Sequence, residues 1–326
     1  MTGHGRMARP SKPERAKRLH RFALFALFTL AFAAVPAAAR ECPADRIDES
    51  VRVRFVNDGD TLTLSDGRRV RLIGINAPEI AHDDRPGEPG GIEARNSLRR
   101  LVRKSGQRIG LRFDEERRDR HGRWLAHVFD RKGRNLAALL VERGKAFAVT
   151  IPPNLWQSRC LHALEQTARR NRRGVWDMPF WKPVDLDRAR ERKRLRTGFR
   201  LLRGRVLDSV RLKPGTRVRL SGGVTLWIPA RDRRYFGRDG MDDWKGRRLQ
   251  ARGWMYRRRG KWQMTLTHPL NVTRLPATGL SDSGPQCLPD SARAASAFNS
   301  RKRAMSASNV SRIRSCSARL ASMNSR

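Results

Sequence analysis

The chain has 326 residues, with 71 lysines and arginines against 31 aspartates and glutamates, a net charge of +40. That length exceeds one small domain and suits two compact ones with tails, while the charge calls for a polyanionic partner, nucleic acid first, with anionic lipid as the alternative. The four cysteines, Cys42, Cys160, Cys287 and Cys316, form no C-x-x-C pair and no Cys/His cluster, which sets a zinc site aside.

The first element is a basic segment (Arg15, Lys17, Arg18, Arg21) followed by an uncharged run from Phe22 to Val35 and then Pro36-Ala37-Ala38-Ala39. That order predicts a secretory signal peptide over 1–39, cleaved after Ala39. The 14 uncharged residues fall short of the roughly 20 that a spanning helix needs, so no stable membrane insertion is expected once the signal is removed. The mature chain is read as exported, periplasmic or secreted, and monomeric. In an oxidising compartment its four thiols permit three full pairings, among which the sequence does not choose.

From Val51 the pattern VRVRFV, then TLTL after Asn57-Asp58-Gly59-Asp60, then RRVRLIGI after Ser65-Asp66-Gly67, predicts antiparallel hairpins joined at tight turns. Residues 81–91 read as loop. Ala94, Leu98, Leu101 and Val102 then recur at helical spacing. Strands resume over Gln107 to Phe113 and Trp124 to Phe129, separated by the charged connection DEERRDRHGR. Leu136, Leu139 and Leu140 mark a second helix that stops at Gly144, and Cys160, Leu161, Leu164 and Ala168 mark a third. The first domain is assigned to residues 40–181.

Residues 182–198 are charged and poor in apolar side chains, which predicts a linker or an exposed helix. Over 199–276 several short strands with glycine-rich turns predict a second, small β-barrel or sandwich. Its basic residues interleave with Trp227, Trp244, Trp254, Tyr256 and Trp262, a mixture that suits backbone tracking and base stacking, although core packing competes for at least half of these aromatics. Residues 277–326 have too few large apolar side chains to order themselves and read as a disordered basic tail.

Phosphodiester cleavage calls for carboxylates on a metal, a base for the attacking water, and arginines on the phosphoryl oxygens. The segments 58–79 and 117–123 contain all three. The blocks Val56-Asn57-Asp58-Gly59-Asp60-Thr61-Leu62, Arg71-Leu72-Ile73-Gly74-Ile75-Asn76-Ala77-Pro78-Glu79 and Asp119-Arg120-His121-Gly122-Arg123-Trp124-Leu125-Ala126 resemble, in order and spacing, the signature blocks of the staphylococcal nuclease family. The resemblance covers roughly 50–177; residues 199–275 resemble, more weakly, OB-like nucleic-acid-binding modules.

That resemblance implies a mainly β fold with helices (α+β): a five-stranded OB barrel with three helices, followed by a second, small OB-like barrel. It implies a thermonuclease-like hydrolase, an endonuclease that acts on DNA and RNA with little sequence preference and leaves 3′-phosphates and 5′-hydroxyls. Calcium, or another divalent metal, would sit on Asp60 and the Ala77 carbonyl, with Asp58 supporting the metal shell. Glu79 would orient or deprotonate the water, and Arg71 and Arg123 would bind phosphate. Asn76 stands where the family usually has a second metal-binding aspartate; its amide oxygen can still ligate, with less charge. The family's nucleotide-stacking tyrosines are replaced by His121 and Thr150, which leaves His121 and Arg117 as substrate-contact candidates. The alternative reading is a chain that keeps the fold and binds nucleic acid without cutting it.

Overall fold

The computed structural model describes residues 42–82, 86–237 and 242–276. The signal segment expected over 1–39 and the tail expected over 277–326, with Cys287 and Cys316, lie outside the described residues.

The first barrel is built from β1 (Glu49–Val56), β2 (Thr61–Leu64), β3 (Arg69–Leu72), β5 (Arg108–Arg112) and β6 (Trp124–Phe129), closed in the order β1-β2-β3-β6-β5. All pairings are antiparallel except β3 with β6. Strict alternation in β1 is broken by an irregularity between Val53 and Phe55. It lets Val53 and Val56 both face the core and leaves Phe55 exposed. Between β3 and β5 the chain runs through the short β4 (Ile75–Asn76) and helix α1 (Gly91–Lys104), which plugs the barrel with Ala94, Leu98, Leu101 and Val102.

Helix α2 (Leu136–Glu142) begins at Asn135, whose side chain accepts from the N–H groups of Ala137 and Ala138, a side-chain cap that supplies partners for otherwise orphaned donors. Strand β7 (Phe147–Ala148) pairs with β4, and helix α3 (Ser158–Arg170) covers α2 with Leu161 and Leu164. A disulfide between Cys42 and Cys160 ties the chain ahead of β1 to α3.

Residues 182–198 are more structured than their charge suggested. Val184 and Leu186, two residues apart, are buried, and β8 (Val184–Asp185) adds in parallel to β9 (Gly198–Leu212); a single turn of helix, α4 (Ala189–Arg192), follows β8. Two apolar side chains on one side of a strand are enough to seat it.

The second unit comprises β9, β10 (Gly215–Leu220), β11 (Val224–Pro229), β12 (Arg248–Arg258), β13 (Lys261–Thr265) and β14 (Val272–Arg274). β9 pairs with β10, β10 with β11, β11 with β13 in parallel, β13 with β12, and β12 returns to β9. This ring repeats the first barrel's order, including its one parallel contact between third and fifth strands. Where the first barrel has α1, the second has 3-10 turns over Ala230–Phe236 and Asp242–Trp244. Trp244 is buried in the second core, Trp262 is partly buried against it, and Trp254 is 39% exposed.

The two barrels share a third apolar cluster in which Phe147 and Val149 meet Val175, Trp181, Phe199 and Leu201. Beside it Arg252 of β12 pairs with Glu165 of α3 and donates to the Ala148 carbonyl, and Asn271 brackets Thr150, accepting from its N–H and donating to its C=O. Among the described residues no helix is long and apolar enough to cross a membrane.

Candidate active site

The turn between β1 and β2 shapes the first half of the site. Asp58 Oδ1 accepts from the N–H of Asp60 at 2.8 Å, which folds the turn back on itself. Gly59 is required sterically, since a Cβ there would lie 2.5 Å from the Ala77 Cβ and 2.6 Å from the Ala94 Cβ. The turn therefore packs directly on the Asn76-Ala77-Pro78 segment and on α1.

That packing buries Asp60, which is 5% exposed. Its Oδ2 accepts from the Ala77 N–H at 2.7 Å and lies 3.0 Å from Arg71 Nη2, while its Oδ1 accepts from Thr61 Oγ1 at 3.2 Å. Burial pushes the Asp60 carboxyl up to about 7; the Asp58 and Glu79 carboxylates push the same way, against Arg71 and the Ala77 N–H. Arg71, placed on β3 opposite Thr61, also donates from Nη1 to the Leu72 carbonyl at 2.8 Å and from Nη2 to Asn76 Oδ1 at 3.5 Å. Asp60, Arg71 and Asn76 are thus one hydrogen-bonded group.

Glu79 follows Pro78 at the exposed edge of this group. Its carboxyl is raised from the ordinary glutamate value, first by surrounding protein and then by Asp58, with Glu88 adding and Arg71 and Arg123 opposing. Base candidate, metal-side acids and both arginines therefore feel one another. Arg123 is held by Asp119, whose Oδ2 accepts from Arg123 Nε at 2.7 Å and whose Oδ1 accepts from the N–H groups of His121 and Arg123. Burial alone would raise Asp119, but the hydrogen bonds and charge of Arg123 hold it below the usual carboxylate range. The Asp119 anchor uses the Nε edge of the guanidinium, so the Nη edge is available for a phosphate.

The remaining candidates are placed differently. His121 is exposed at the tip of the Asp119 turn, its Nε2 accepting from Arg120 Nε at 3.1 Å. Arg117 is also exposed, its guanidinium 5.2 Å from the Phe113 ring centroid and thus turned to that ring. Thr150 is buried against His162 and Asn271 at the contact with the second barrel, so no stacking surface exists there. Sequence reasoning passed over the anchoring role of Asp119, although an aspartate four residues before an arginine across a glycine turn is its signal.

The donor set around Asp60 fits a hard divalent cation: a carboxylate, the Asn76 amide oxygen and the Ala77 carbonyl, with Asp58 alongside, are all oxygen ligands. Burial, and after it the nearby carboxylates of Asp58 and Glu79, disfavour a bare charge on Asp60, and a cation bound there would offset both. Among the described residues no group of three or more His, Cys, Asp or Glu side chains forms a metal cluster, so the site is poorer in charge than an all-carboxylate cage.

Comparison with known proteins bears on the same segment. A family model described as staphylococcal nuclease homologue matches residues 69–178. Over 133 residues the chain is 33% identical to the thermonuclease of Staphylococcus intermedius, a match covering 40% of this chain and 77% of that protein. It is 29% identical over 132 residues to the thermonuclease of Staphylococcus hyicus, covering 40% of this chain and 76% of that protein. A further similarity, 27% over 147 residues, is to the endonuclease YhcR of Bacillus subtilis and covers 38% of this chain and 12% of that protein.

Proposed function

Because the chain belongs to the staphylococcal nuclease family, we propose that it is an exported nuclease that hydrolyses phosphodiester bonds of DNA and RNA at the Asp60, Arg71, Glu79 and Arg123 site. The observation that carries this reading is geometric: Asp60 Oδ2 lies 3.0 Å from Arg71 Nη2, the Asp60 turn packs on the Asn76-Ala77-Pro78 segment that leads into Glu79, and Arg123 is anchored by Asp119 through Nε alone. A site that served binding alone needs the arginines but neither acid.

In this reading a phosphate lies between Arg71 and Arg123, whose planar forks spread the charge that builds on the phosphoryl oxygens. Glu79 holds a water in line and accepts its proton as the oxygen attacks phosphorus. The bond from phosphorus to the 5′ oxygen breaks, its electron pair stays on that oxygen, and a proton from solvent completes the alcohol. The products are a 3′-phosphate and a 5′-hydroxyl. Calcium, or another divalent cation held by Asp60, Asn76 and the Ala77 carbonyl with Asp58 beside them, would neutralise charge on the phosphoryl group. Contacts confined to phosphate carry no base information, which gives low sequence preference. In the same reading His121 and Arg117, exposed on the Asp119 connection, would touch flanking nucleotides.

Export is supported by the Cys42–Cys160 bridge, which suits an oxidising compartment, and by the leader pattern over 1–39. The test is a cleavage panel: chain lacking residues 1–39, single-stranded DNA, duplex DNA and RNA, each with a range of divalent metals and with chelator, followed by end-group analysis. Hydrolysis that chelator abolishes is expected. A salt-sensitive binding signal with no hydrolysis under any metal would instead establish the binding-only alternative.

A further inference from the structure

Outside the four residues above, the base candidate is tied to the second barrel through two side chains. The Glu79 backbone is gripped by Glu88: the Glu79 carbonyl accepts from the Glu88 N–H at 2.8 Å, and the Glu79 N–H donates to Glu88 Oε2 at 3.2 Å. The other carboxylate oxygen of Glu88, Oε1, lies 3.0 Å from Nη1 of Arg200 on β9. One carboxylate thus bridges the backbone of Glu79 and a cation of the second barrel.

The surroundings make this a built connection. Gly91 lets α1 start against the same spot, since a Cβ there would lie 2.4 Å from the Glu79 carbonyl oxygen. Trp181, a member of the cluster shared by the barrels, donates from Nε1 to the Pro89 carbonyl at 2.8 Å and so holds the chain next to Glu88. Arg200 is 7% exposed and lies over the rings of Phe180 and Trp181. Its Nε is buried without a hydrogen-bond partner among the described residues. Burying a guanidinium with one donor unsatisfied is a costly way to fill a strand position that an apolar side chain would fill better. The ion pair with Glu88 offsets that cost.

We propose that the second barrel is a working part of the nuclease site: Arg200, acting through Glu88, is a positioning residue that sets where the Glu79 carboxylate stands. This rests on the nuclease reading above, and it gives the second barrel a role that does not require it to touch nucleic acid. A general base must be held within a fraction of an ångström of its water, and a displacement of about 1 Å can cost on the order of a hundredfold in rate. Arg200 and Glu88 meet neither the cleaved phosphate nor a metal ligand, so their loss should move turnover and leave substrate affinity alone.

The test uses Arg200→Met, Arg200→Lys and Glu88→Ala in the chain lacking residues 1–39. Arg200→Met and Glu88→Ala should each lower kcat by about ten- to a hundredfold with KM unchanged, and Arg200→Lys, which still reaches Glu88 with a cation, should recover part of the loss. In a Glu79→Gln background Arg200→Met should lower kcat no further, because two residues acting through one group are not additive. Amide hydrogen exchange, which needs no turnover, should quicken at Glu79 and Glu88 and over residues 90–91 in Arg200→Met, and at Glu79 and over 90–91 in Glu88→Ala, while β1 to β3 stay protected.

A rise in KM at constant kcat, additive losses on top of Glu79→Gln, or unaltered exchange at Glu79 and over 90–91 would each overturn the assignment. If Arg200→Met fails to fold, Glu88→Ala at the partly exposed end of the pair carries the same readouts. A parent chain that cleaves nothing defeats the nuclease reading, and the exchange measurement then decides the positioning claim by itself.

Discussion

Arg71 Nη2 lies 3.0 Å from Asp60 Oδ2, so the cation suited to phosphate and the carboxylate suited to a metal are ion-pair partners. A divalent ion held at Asp60 would compete for that carboxylate and leave the guanidinium to phosphate. Metal and phosphate should therefore bind with positive coupling. Calorimetric titration with a nucleoside bisphosphate should give a tighter Kd in calcium than in chelator, and Asp60→Asn should remove the difference.

Glu79→Gln should lower kcat by about 10² to 10⁴-fold, the usual contribution of a positioned base, with the circular dichroism spectrum and melting temperature retained. The carboxyl of Glu79 is raised above the ordinary glutamate value. A base works only when ionised, so activity is full above this raised pKa and is lost as pH falls through it. The acid limb of kcat against pH should sit above the free-glutamate position and should vanish in the residual activity of Glu79→Gln.

His162 reports on the contact between the barrels. It is buried on α3, with Nε2 3.1 Å from Thr150 Oγ1, and its pKa is lowered from 6.5 to about 3 by burial first and then by Arg252 and His268. Between those values the unfolded chain binds a proton that the folded chain refuses. Stability is therefore full above about pH 6.5 and declines as pH falls toward the folded value. Urea midpoints measured from about pH 7 down to about pH 4 should fall in the parent, and more shallowly in His162→Gln.

Glu165 and Arg252 form a buried pair across the same contact, with Glu165 Oε1 also accepting from the Ala148 N–H at 2.8 Å. Removing one partner strands the other charge, so Arg252→Met should cost about 3–5 kcal/mol. Replacing both, Glu165→Leu with Arg252→Met, should recover part of that loss, since neither charge is then left unpaired. Denaturant midpoints of the two variants decide this, and a single-variant loss no larger than the double-variant loss would contradict it.

The arginine at 123 shows why motif and place must be separated. Asp119-Arg120-His121-Gly122-Arg123 and Asp130-Arg131-Lys132-Gly133-Arg134 are the same turn twice: in each the aspartate accepts from the arginine Nε, at 2.7 Å and 2.8 Å, and the glycine has positive φ, 75° and 74°. As local chemistry the two are equivalent. The two turns occupy opposite ends of β6, and it is Arg123 that acts on Glu79.

The sequence by itself determined the elements of both barrels and the helical stripes that plug and cover the first, because these depend on patterns within a few residues of one another, while the residues around Asp60 came from the family resemblance. Ala94, Leu98, Leu101 and Val102 at helical spacing had to share a face, and the Asp58-Gly59-Asp60 turn had to be tight. It did not show that Val184 and Leu186 would seat a charged stretch on β9 or that Thr150 would be buried under Asn271. Nor could it join Glu88 to Arg200, which are 112 residues apart. An ion pair at that separation leaves no periodic trace, and in a chain with 71 basic residues each arginine looks like every other. Only when the third apolar cluster brings β9 against the loop after Pro78 does one of them stand behind Glu79. Burial then makes that pair strong, where solvent would have screened it.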